Sequence, residues 1–136
     1  MGKRLSFVFL IMLLAFCIVG CSVIRKKTGE EKKVDYTVVK KEELPPEVKK
    51  VIEIKKQEEF QMSYQCEGEL YLMRGYGIQS TGGYSIQVEY VTENNEEIHI
   101  KTKLVGPESR EEQKDAISCP YIVVKIEKRD KKIIFD

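Results

Sequence analysis

The chain has 136 residues, 33% of them charged, with 23 lysines and arginines against 22 aspartates and glutamates and a formal net charge of +1. That balance implies neither a polyanionic nor a polycationic partner and argues against nucleic-acid binding. The length suits one modest domain, and a single histidine, His99, with no C-x-x-C spacing leaves a metal site without its usual ligands.

The first element in chain order is a leader. Lys3 and Arg4 precede Leu5–Val19, an uncharged apolar run shorter than the ~18 residues that span a bilayer comfortably. A positive start, an apolar stretch and a small residue before a cut mark residues 1–20 as an export signal. The run ends in Ile18-Val19-Gly20-Cys21, which resembles the lipobox of bacterial lipoproteins. The resemblance implies cleavage before Cys21, thioether lipidation of its sulfur with fatty acyl (palmitate-type) chains, and acylation of the new terminus. Two or more chains on one cysteine would anchor the protein stably to the cell membrane on its extracytoplasmic side. The competing reading is a plain transmembrane anchor with an incidental cysteine. Removing residues 1–20 takes away Lys3 and Arg4 and leaves 116 residues of net charge near −1.

Residues 21–33 read as the lipidated cysteine and a polar tether, Ser22–Lys33, in which Arg25-Lys26-Lys27 is followed by Glu30 and Glu31. Residues 34–136 read as a single β-rich domain. Val34–Val39 predicts a first strand. Glu42, Glu43 and the Pro45-Pro46 pair predict the start of a helix, with Leu44, Val48, Val51 and Ile52 on one stripe and an end near Gln57–Glu59. Strands follow at Phe60–Cys66 and Leu70–Arg74, joined by a Glu67-Gly68 turn. Tyr84, Ile86, Val88 and Tyr90 alternate with polar residues, predicting a half-buried strand with all four on its inner face. Glu93–Glu96 predicts a hairpin turn. Ile98, Ile100, Thr102 and Leu104 line the next strand, Glu108–Ala116 a loop, Tyr121–Ile126 another strand and Ile133–Phe135 a short last one. The fold class is mainly β with a minor α contribution: a small antiparallel sheet or sandwich of six or seven strands with one covering helix.

Cys66 and Cys119 are the unmodified pair in an exported domain, and two readings stay open: a disulfide closing a loop of about fifty residues, on the order of 3–4 kcal/mol, or two free thiols. His99 lies on the strand face opposite Ile98 and Ile100 and is expected to be exposed.

Gly75–Val88 reads GYGIQSTGGYSIQV and Cys119–Ile126 reads CPYIVVKI. Thr81-Gly82-Gly83-Tyr84-Ser85-Ile86, the hairpin after it, Gly106-Pro107, and Pro120-Tyr121 before Val123-Val124-Lys125-Ile126 resemble the C-terminal domain of PrcB-type protease-complex subunits over residues 69–127. The chain has Gln79-Ser80 where such domains often carry Lys-Pro. The resemblance implies a small β-rich domain on an exported, often lipid-anchored protein that supports a surface protease and is not itself one.

The residues have their own reading. Gly82 and Gly83 permit positive φ and close backbone approach, Thr81 can bond back to a turn, and Tyr84 can bury its ring with its hydroxyl at the rim. The bland reading is a tight corner that fixes register; the sharper one is a recognition loop on a rigid sheet. Tyr76, beside two glycines, is the candidate for an exposed interface anchor. With Thr81, Gly82, Gly83, Tyr84, Pro120 and Tyr121 it forms the candidate partner-binding set.

The expectation is a non-enzymatic cell-envelope lipoprotein that binds a protein partner, by resemblance a secreted or surface protease, with no cofactor, metal, nucleic acid or small-molecule substrate. The alternative is a protease inhibitor inserting the TGGY loop into an active cleft; TGGY is similar over four residues to the T-T-G-Y loop of chagasin-like inhibitors.

Overall fold

The structure, a computed structural model, describes residues 29–110 and 115–136. The leader, Cys21 and most of the tether therefore lie outside the described residues. The elements in order are β1 (Lys32–Lys33), β2 (Thr37–Val38), a 3-10 turn (Lys41–Glu43), α1 (Pro46–Lys55), β3 (Glu59–Cys66), β4 (Glu69–Tyr76), β5 (Ser85–Glu93), β6 (Glu97–Val105), β7 (Tyr121–Glu127) and β8 (Lys132–Phe135). They form two four-stranded sheets, ordered β1-β5-β6-β8 and β2-β7-β4-β3. The mainly β class with one covering helix holds.

The two central strands of the second sheet, β4 and β7, are buried on both faces. Leu70 and Leu72 of β4, and Ile122, Val124 and Ile126 of β7, face the first sheet and pack with Val91, Ile98 and Ile100. Met73 and Val123, one position out of phase, face the other way and pack with Leu44, Val48 and Ile52 of the helical segment and with Phe60. That two-sided burial explains why LYLMR and YIVVKI read as compact apolar runs, whereas β5 and β6 alternate. In α1, Pro46 occupies the first turn and Glu47 lies near the N-terminus, both favourable there. Leu44, Val48 and Ile52 recur every four residues and present one stripe to the sheet.

Three local features depart from the sequence reading. First, Val34–Val39 is not one strand. Lys32–Lys33 pairs with β5, Thr37–Val38 pairs with β7, and between them the chain crosses from one sheet to the other. Val34 is the pivot: its side chain is buried between the sheets and its N–H donates to the Val91 carbonyl at 2.9 Å. This split raises the count to eight strands among the described residues. Second, the β5–β6 register shifts between Val88 and Tyr90, so Glu89 is the extra residue of a bulge. The bulge flips the alternation after Val88. Val91 is buried instead, and Tyr90 turns outward, its hydroxyl donating to Asp136 Oδ2 at 2.8 Å. Third, β8 joins β6 in parallel.

The Glu67-Gly68 turn forms as expected, with φ of 49° and 79°. Positive φ at both central residues suits a two-residue hairpin to the strand twist. In the Glu93–Glu96 turn, Asn94 Oδ1 accepts from the N–H groups of Glu96 and Glu97 at 2.9 and 2.8 Å. Glu93 also receives Arg129 at 2.7 Å and Lys131 at 3.0 Å, pinning the β7–β8 connection. Gly75 faces Phe60 across the β3–β4 pair, and a Cβ added there would collide with the Phe60 ring.

The disulfide reading of Cys66 and Cys119 fails: both thiols are free. Cys66 pairs with Glu69, beside Glu127, whereas Cys119 precedes Tyr121, beside Gly75 and Phe60. The two cysteines lie at opposite ends of one sheet, on the order of 20 Å apart at the strand rise of about 3.3 Å per residue, well outside bridging range.

Leu72→Ala, which empties a fully buried site between the sheets, is expected to cost about 2–5 kcal/mol in urea denaturation, against about 0.5 kcal/mol or less for the exposed Ile54→Ala. The Arg129 hydrogen bond, then Lys131, holds the Glu93 carboxyl below its ordinary range against the opposing effect of burial. A depressed carboxylate contributes stability above the unfolded-state value, and that stability is lost as pH falls through the folded-state value. Thermal melts from pH 7 to pH 3 should therefore show wild type above Glu93→Gln at neutral pH and the two curves converging in acid.

Candidate functional site

The two ends of the sandwich differ. At one end lie Gly29, whose added Cβ would stand 3.1 Å from Asn95, the Glu67-Gly68 turn and the Asn94 turn, with Lys128 donating to the Gly68 carbonyl. The N-terminal segment enters there. At the other end, residues 77–84 connect β4 to β5 beside Gly106-Pro107 and the segment leading into β7. A nine-residue strand separates these ends by about 30 Å.

The far end is a laced structure and not a free loop. Gln79 and Ser118 exchange two backbone hydrogen bonds, at 2.8 and 3.2 Å. Ser118 Oγ donates to the Thr81 carbonyl at 2.7 Å, Gln79 Nε2 to the Tyr76 carbonyl at 3.0 Å, and the Tyr76 N–H to the Pro120 carbonyl at 3.0 Å. The structure thus brings the glycine segment and Pro120-Tyr121 together, as the sequence reading required. Gly77, with φ of 70°, packs so closely on Gln57–Glu59 that a Cβ would meet backbone at 3.2–3.4 Å. Gly82 is buried, and Gly83 is exposed with φ of 83°. Tyr84 is half-buried against Gly106.

Tyr76 is not the exposed anchor expected. It is half-buried, its hydroxyl shares a 2.6 Å hydrogen bond with Thr102 Oγ1, and the Arg74 guanidinium lies 4.4 Å from its ring centroid. Its alternation with Leu70 and Leu72 on β4 points it between the sheets, where it ties β4 to β6. Tyr121 is half-buried too, beside a cleft of about 150 Å³ lined by Lys41, Leu44, Lys49, Ile52, Glu53 and the Tyr121 ring. Burial, with Glu53 adding, pushes its phenol up from the ordinary value.

What this end exposes instead is isoleucine: Ile78 at 50% and Ile117 at 67%. Ile78 and Ile117 flank the Gln79–Ser118 bridge. They are two of the six large hydrophobic residues exposed among the described residues, and apolar side chains exposed side by side are the usual mark of a contact surface. Sequence reasoning missed them because neither Ile78 nor Ile117 belongs to a periodic run; the one available signal was an aliphatic residue inside a Gly/Ser-rich loop.

His99 is not on an open face. It is half-buried, with Nδ1 3.1 Å from Asp136 Oδ2 and Nε2 3.2 Å from Glu97 Oε2. It lies on the first sheet, away from the glycine segment. Among the described residues no group of three or more His, Cys, Asp or Glu is arranged to hold a metal ion.

A rigid two-sheet body presenting a laced, partly apolar loop end defines a β-sandwich of the loop-displaying kind. Residues 70–127, from β4 through the end of β7, match the family model described as PrcB C-terminal. No curated protein and no solved structure was found to match the chain.

Ser118→Ala removes one donor to the loop and should cost about 0.5–1.5 kcal/mol, felt locally. Hydrogen exchange should show faster exchange of the Gln79 and Gly82–Gly83 amides, with the Leu72 and Val124 amides unchanged.

Proposed function

We propose that the protein is a lipid-anchored, non-enzymatic subunit of the cell envelope that accompanies a secreted or surface protease and holds it through the loop end of the sandwich. The association with a protease complex is what the PrcB C-terminal match suggests. The observation that carries the contact surface is the exposure of Ile78 and Ile117 on either side of the Gln79–Ser118 bridge that laces the 77–84 and 117–120 segments. Loops fixed on a sheet bind at low entropic cost, since little ordering remains to be done. A chain anchored through Cys21 would enter the domain at the opposite end, leaving this surface about 30 Å further from the membrane and open to a partner. In this reading Thr81, Gly82, Gly83 and Pro120 shape the surface, while Tyr76, Tyr84 and Tyr121 hold it from within.

The test is affinity capture of the full-length protein from its own membrane. The double variant Ile78→Asp/Ile117→Asp is expected to recover at least about tenfold less of a protease partner, the loss typical of central apolar contacts, while Tyr90→Phe on the first sheet recovers it fully. Equal recovery by the folded double variant removes the loop end from the proposal. Adding the full chain to the captured protease separates the two roles: preserved or prolonged activity supports a companion, and stoichiometric loss of activity supports the inhibitor alternative.

A further inference from the structure

The four sheet edges are not alike. β1 and β2 are two residues long, and β1 is Lys32-Lys33; β8 is four residues long and begins with Lys132. Short length and lysine are the ordinary means by which proteins blunt an edge. β3 has neither. It runs for eight residues, Glu59–Cys66, pairs with β4 in unbroken register, and contains no lysine, arginine or proline. Its one charged residue, Glu59, is held by Arg74. Among the described residues no strand lies on its other side.

From these features we infer that β3 is the docking edge for a second copy of this chain, the two β3 strands pairing antiparallel about a two-fold axis at Met62. The strand is self-complementary in that register. Met62 faces Met62 of the second copy, Phe60 faces Tyr64 on the helix side, and Gln61 faces Ser63 on the polar side. Glu59 falls opposite Gln65, so no like charges meet, and cross-strand pairs of this kind stabilise an antiparallel sheet. Met62, Tyr64 and Cys66 are only half-buried in one copy; a second strand would cover that row and make a continuous eight-stranded sheet. The chain's own N-terminal segment is poorly placed to fill the edge. It enters through β1, three residues from β2, and β2 is the opposite edge of the same sheet. The surface is also separate from the loop end, so two copies would leave both partner-binding ends open.

The test uses the full chain in its membrane, with Cys66 and Cys119 replaced by serine and Met62→Cys introduced. Mild oxidation is expected to give a disulfide-linked species at twice the monomer mass, several-fold above the background set by the parent without Met62→Cys and by Lys103→Cys on the first sheet. Gln61→Lys/Ser63→Lys places lysine opposite lysine in the paired strands and should abolish that product while leaving the thermal melt of the protein unchanged. A cross-link no stronger than background, a dimer indifferent to the two lysines, or a cross-link to a different protein each overturns the assignment. Loss of partner capture by the isoleucine variant with the Met62→Cys cross-link intact would leave this edge and the loop end independently scored.

Discussion

The architecture depends on one constraint: the central strands of the second sheet are buried on both faces. Leu72 and Met73 are neighbours in sequence, yet one closes the inter-sheet core and the other seats the helix. Val124 and Val123 do the same on β7. A slip of one residue in either strand would exchange the two sets and spoil both cores at once, which is why register here is so firmly set. The same two strands hold the loop end. Tyr76 closes β4 and Tyr121 opens β7, so the glycine segment and the Pro120 segment are brought side by side by the packing of hydrophobic residues well away from them.

Much of this was legible in the sequence, and the parts that were not share a cause. Helix α1 was readable because a stripe at Leu44, Val48 and Ile52 is a local pattern, and the strands from Phe60 to Ile126 were readable as runs or alternations. The misreadings fall where long-range pairing overrides local pattern. Val34–Val39 looks like one strand, but half of the segment finds its partner in one sheet and half in the other. Tyr90 sits in phase with Ile86 and Val88 until the Glu89 bulge resets the phase. Tyr76 looks like a loop tyrosine because two glycines flank it, whereas its hydroxyl is claimed by Thr102 from a strand far along the chain. Cys66 and Cys119 looked like a pair by elimination, and only the β3-β4-β7 register reveals that they stand at opposite ends.

The candidate site shows the same division. That the glycine segment and Pro120-Tyr121 belong together was visible from their shared membership in one motif set, and the Gln79–Ser118 bridge bears that out. Which side chains the site offers was not visible. The tyrosines are spent on structure, holding sheet to sheet or shielding the helix contact, and the isoleucines left over are the ones that meet solvent. The PrcB C-terminal match spans the loop end and the two-sided strands of the second sheet, but leaves α1, β3 and β8 outside it. The unblunted β3 edge is thus a property of the part of this chain that the family model does not describe.

The two shortest strands carry a consequence for how the chain reaches this state. Thr37 pairs with Lys125, and Lys32 with Glu93, so the first two strands of the domain have no partner until most of the chain has followed. Such high contact order delays closure, because a long loop must be fixed before any pairing repays it. Until Lys125 is available, β2 has no strand to pair with, so this edge of the second sheet closes only after β7 has been made.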